Sequence, residues 1–113
     1  MYSVTEQFVK WLSYNGYAAS TYPPRVGDEF VTVERTSGGV IDMLDHPTVA
    51  IQTWAQTAPR AEEMAIAIRN ALFYSRPEGV AHIQVDGLYP FWDENTRLPR
   101  YQLVLDCTAQ LTE

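Results

Sequence analysis

Cysteine, lysine and histidine are nearly absent from this sequence. Cys107 stands alone, so no intrachain disulfide can form and the redox compartment leaves no mark on the chain. Lys10 is the only lysine, and the other cations are arginines scattered without a cluster. The net charge is −6, and an acidic chain without a basic patch is poorly suited to grasping a phosphate backbone. Sequence-specific nucleic-acid binding is therefore not expected. Dispersed arginines suit bidentate pairing with carboxylates, within a subunit or between subunits. No apolar run reaches bilayer length, and no basic region precedes an apolar stretch at the N-terminus. Neither a membrane span nor a signal peptide is expected.

Catalytic signatures are missing as well. There is no GxSxG, HExxH or paired CxxC, and Ser37-Gly38-Gly39 lacks the lysine and following helix of a phosphate loop. His46 and His82 fall in different segments without metal-ligand spacing. Asp42, Asp45 and His46 share one segment, but it lacks the glycine and terminal glutamate of a calcium loop. His82 falls on a polar strand face and reads as a surface residue. Cys107 falls on an apolar strand face and reads as a small core residue. No cofactor, metal or catalytic residue is expected, and by elimination no enzyme.

What the sequence does have is apolar material in ordered patterns. Of 113 residues, 46% are hydrophobic and 12% aromatic, enough for one domain with a real core. The central stretch runs from Thr57 to Ser75. Thr57 can cap the first turn, Pro59 sits where a missing N–H costs nothing, and Glu62 and Glu63 face the positive end of the dipole. Ala61, Met64, Ala65, Ile68, Ala71 and Leu72 form one apolar stripe at helical spacing, and Arg76-Pro77 stops the helix. The small residues on that stripe suit close approach to a sheet.

Around this helix the chain reads as helix, two strands, helix, two strands. Ser3 and Glu6 form a capping-box pattern before Val4, Phe8, Trp11 and Leu12, which predicts a helix over Val4 to Asn15, ended by Gly16. Tyr17 to Gly27, with Pro23-Pro24, reads as an extended connector. Strands are expected at Asp28 to Thr36, Thr48 to Gln56, Val80 to Asp86 and Arg100 to Leu111. The last alternates most cleanly: Tyr101, Leu103, Leu105, Cys107, Ala109 and Leu111 oppose a polar, largely uncharged face. Short connections make the strand pairs antiparallel hairpins. The expected fold is α+β, a four-stranded, mostly antiparallel sheet with two helices packed on one face.

Three apolar groups exceed what one small core needs. Ile66 and Phe73 lie outside the core stripe of the central helix, beside Glu62 and Arg69. They belong either to a wider core or to a contact with another subunit. Residues 40–47, with Val40, Ile41, Met43 and Leu44, have no clean period and either prolong a hairpin or form a loop arm. Gly87 to Leu98 is an aromatic loop carrying Leu88, Tyr89, Phe91 and Trp92, packed locally or presented to a partner.

The order of short phrases carries a resemblance. Glu34-Arg35-Thr36-Ser37-Gly38-Gly39 ends a strand, and Asp45-His46-Pro47 precedes Val49-Ala50-Ile51-Gln52-Thr53-Trp54-Ala55. Ala61-Glu62-Glu63-Met64-Ala65 opens the central helix, and Asp93 then Arg100-Tyr101 follow the aromatic loop. Over most of its length the chain resembles the small tail-terminator, or tail-completion, proteins of long-tailed, non-contractile bacteriophages. The resemblance implies a virion protein, made in the host cytoplasm, that forms a hexameric ring at the head-proximal end of the tail. Such a ring caps the tube of the major tail tube protein, stops its polymerisation and offers a surface to head-completion proteins. An acidic lumen would let DNA slide through. The family has no catalytic residues to carry over. Two readings stand beside it: another neck component, such as a head-closure or adaptor protein, and a small-molecule-binding α+β domain with the aromatic loop as a pocket wall.

Overall fold

A computed structural model describes residues 2–22, 29–91 and 98–111. The first helix, α1 (Val4–Tyr14), begins where Ser3 Oγ accepts from the Glu6 amide at 3.3 Å. It buries Val4, Phe8, Trp11 and Leu12. Asn15 then caps it, its side-chain amide donating to the Trp11 carbonyl at 2.7 Å. The strands are β1 (Ala19–Ser20), β2 (Phe30–Ile41), β3 (Leu44–Trp54), β4 (Val80–Pro90) and β5 (Arg100–Ala109), with α2 (Ala58–Ala71) between β3 and β4. They form one sheet in the order β1-β2-β3-β5-β4.

The α+β class is as expected, but the sheet has five strands and is mixed. The additional strand is β1, which pairs in parallel with Val31 and Thr32 of β2 inside the segment read as a connector. Two residues are too few to set a period, so no pattern could mark it. All other pairings are antiparallel. The central seam joins β3 to β5, setting Val49 opposite Leu105 and Ile51 opposite Leu103.

Several boundaries also move. β2 and β3 continue through residues 37–47 as one long hairpin, so the arm is a prolonged hairpin and not a loop. β4 runs to Pro90 and takes in the first part of the aromatic loop, after a register shift between Val85 and Gly87. α2 ends at Ala71, well before Pro77. Its end tightens through bonds from the Phe73 amide to the Asn70 carbonyl (3.2 Å) and from Tyr74 to Ala71 (3.0 Å). Such three-residue spacing satisfies the last carbonyls while ending the helix.

Both helices cover the same sheet face. Val31, Val33, Val49, Ile51, Leu103 and Leu105 meet Phe8 and Leu12 of α1 and Ala61, Met64 and Ile68 of α2 in one cluster. Ala61 and Ala65 are fully buried, and Thr53 Oγ1 donates to the Ala61 carbonyl at 2.7 Å. The small side chains let the helix backbone come that close. Each fully buried Leu, Ile or Phe contributes about 1.5–3 kcal/mol relative to exposure. Cys107 belongs to this cluster, and burial, with a smaller contribution from Asp106, pushes its thiol up to about 12.

Candidate assembly surfaces

The hairpin formed by β2 and β3 is the most distinctive surface element. An ion pair runs along it from Arg35 at the base to Asp45, which pairs with Val40 next to the tip; guanidinium and carboxylate meet through two bonds of 2.6 and 2.7 Å. The Arg35 hydrogen bonds hold the Asp45 carboxyl below the usual carboxylate range, against the opposing effect of burial. Between them, Gly38 adopts φ +120° against Pro47, and a Cβ there would lie 2.2 Å from the His46 carbonyl oxygen. Only glycine lets the two strands stay paired at this point. Asp45 is therefore committed to Arg35, which removes it from the Asp42, Asp45 and His46 trio weighed as a cation site.

At the tip, Asp42 (φ 52°) and Met43 (φ 65°) join Ile41 to Leu44 as a two-residue turn. Two positive φ values match the twist of the flanking strands, a position usually taken by Asn-Gly. Met43 has no such freedom and is 75% exposed. Val40, Ile41 and Leu44 are exposed beside it. The expected arm residues Met43 and Leu44 thus stand at the end of a paired, rigid projection.

The second apolar surface follows α2. Phe73 is 68% and Tyr74 92% exposed in the turn after the helix. With Ser75, Arg76, Pro77 and Val80 they line a cleft of about 430 Å³. Trp11 Nε1 donates to Ser75 Oγ at 3.0 Å and ties this turn to α1. Ile66 is half-buried. Arg69 donates to the neighbouring Asn70 side chain. Glu62 takes a hydrogen bond from the Tyr101 hydroxyl, which raises the Tyr101 pKa. The sequence-selected group on α2 is thus divided: Glu62 faces β5, while Phe73 stands free beyond the helix end.

The helix-free sheet face carries a side-chain network that the sequence reading did not single out. Trp54 Nε1 donates to Thr32 Oγ1 (3.0 Å), and Thr32 donates to Gln52 Oε1 (2.7 Å). Gln52 Nε2 donates to Glu34 (3.2 Å) and to Gln102 Oε1 (2.8 Å), and Gln102 Nε2 reaches the Tyr89 hydroxyl (2.7 Å). The chain of bonds crosses all four long strands. Its only sequence signal was the run of uncharged polar residues opposite the core face. Arg100 lies over Trp54 and Phe91, 4.7 and 4.4 Å from the ring centroids, in cation–π geometry. Two of the expected aromatic-loop residues are thereby placed: Tyr89 closes the network, and Phe91 stacks on Arg100. Trp92 and the polar turn after it lie outside the described residues.

Elsewhere Arg60 pairs with Glu29 through both Nε and Nη2, and with Glu63 at 2.7 Å. Among the described residues no three His, Cys, Asp or Glu side chains group as metal ligands. Among them, too, no helix is long and apolar enough to cross a membrane. Compared with protein-family models and with curated proteins, the sequence finds no match.

Proposed function

We propose that this chain is a structural virion protein of the tail-terminator class. Copies join as a ring, hexameric as the resemblance implies, on the end of the major tail tube protein. The ring ends tube polymerisation and gives head-completion proteins a surface to join. The observation that carries the reading is the pair of unlike surfaces on one small domain that expose large apolar side chains, the arm tip with Met43 and the turn after α2 with Phe73 and Tyr74. A ring needs two different patches on each subunit, because its contacts run head to tail.

The small-molecule reading draws less support. The cleft of about 160 Å³ beside Trp54, Phe91 and Arg100 is lined by Thr32 and Gln52, which already hydrogen-bond each other. Imaging of particles assembled without this gene tests the proposal. Overlong tubes of scattered length without heads are expected. Normal-length tails beside full, unattached heads would move the protein to the head side of the neck. Intact infectious particles would overturn the assembly role altogether.

A further inference from the structure

We infer that the arm tip of one copy seats in the cleft after α2 of a neighbouring copy, with Asp42 of the tip against Arg76 of the cleft. The inference deepens the ring reading and rests on it. Three observations support it together.

The tip presents its apolar side chains at a conformational cost. A non-glycine residue in the left-handed region is strained, and Met43 bears that strain to hold an apolar side chain at the apex. Glycine there would relieve the turn and remove the apolar side chain at its apex. The same chain holds a recess of about 430 Å³ bordered by Phe73, Tyr74, Ser75, Arg76, Pro77 and Val80, with more polar than apolar surface exposed in it.

Charge fits the same pairing. Asp42 stands in the tip between Ile41 and Met43, and Arg76 lines the cleft. Arg76 Nη1 donates to the Ala81 carbonyl at 2.8 Å. Among the described residues neither Asp42 nor Arg76 makes an ion pair, so each can meet the other across an interface.

Position fits as well. Asp45 near the arm's tip and Val80 at the cleft both pair with Ala109, so arm and cleft belong to the same end of the sheet. The arm rises from β2 and β3, whereas the cleft borders β4 beyond β5. Copies set side by side in one orientation therefore bring the arm side of one to the cleft side of the next at the same height. The contact is head to tail and repeats from copy to copy.

Cysteine pairing tests this directly. Full-length Met43→Cys and Tyr74→Cys chains are mixed over a concentration series under mild oxidation, with buried Cys107 retained. A disulfide-linked heterodimer is expected in the mixture and not from either chain alone. Asp42→Arg or Arg76→Asp should each weaken self-association about tenfold, and the two together should restore it. Met43→Gly should weaken association at least tenfold while the fold melts no lower than wild type. Tip-to-tip disulfides, or no cross-link at any concentration, would overturn the pairing. Overlong tails from tip variants that never cross-link would keep the terminator reading and assign the tip to the tube or neck protein instead.

Discussion

On the helix-covered face of the sheet, Ile51 and Leu103 face each other and are held by contact alone. One residue along on each strand, Gln52 and Gln102 face each other on the opposite side and are held by hydrogen bonds of fixed direction. All four are buried, so burial alone does not distinguish the faces. The apolar face is stabilised without direction and tolerates a change of shape that conserves volume. The polar face tolerates little, because a deleted partner leaves a buried donor or acceptor unpaired. One layer supplies the stability of the fold, and the other sets the alignment of all four long strands.

Truncation tests that contrast most severely. Leu103→Ala should cost about 2–5 kcal/mol in denaturant unfolding, whereas Leu103→Met should cost less than about 1.5 kcal/mol. Gln52→Ala should cost about 1–3 kcal/mol, because Thr32, Glu34 and Gln102 all lose a partner. On this face a volume-conserving change should not help, and Gln52→Met should fall near the alanine value. A Gln52→Met variant as stable as wild type would break the comparison.

The arm combines both kinds of interaction, since Asp45 is buried and doubly bonded to Arg35. Its carboxyl is held below its unfolded value. The stability it contributes is present above the unfolded carboxylate value of about 4 and drains away as pH falls through the folded one. Asp45→Asn should cost about 1–2 kcal/mol at neutral pH and flatten the acid limb of the stability profile. The smallest expected effect is at Phe73. Phe73→Asp should change stability by less than about 0.5 kcal/mol while abolishing tail completion. Loss of folding would show Phe73 to be part of the core.

These differences explain what the sequence made legible. The core face announced itself through period, because Leu103, Leu105 and Cys107 alternate and Met64, Ala65 and Ile68 recur at helical spacing. Capping at Ser3 and Thr57 was readable from local chemistry. The amide network was not, since Thr32, Gln52 and Gln102 lie far apart along the chain and meet only through register. The end of α2 was missed because Arg76-Pro77 is the marked stop in the sequence, while the helix already tightens after Ala71. β1 was missed because its two residues pair through main-chain groups alone. The arm's tip was half legible: its apolar surplus was plain, but Asp42-Met43 is an improbable pair for a tight turn.

The seam between β3 and β5 also has a consequence in time. β2 and β3 are neighbours in the chain and can close their hairpin as soon as both have been synthesised. β5 is made after the other described strands, yet it sits between β3 and β4 and joins the two halves of the sheet. Until it arrives, β3 keeps an open edge, and α2 has only part of the surface it packs on. The domain therefore completes its sheet only once β5 has been made, and a chain cut short before Arg100 would expose an adhesive strand where the finished sheet has its centre.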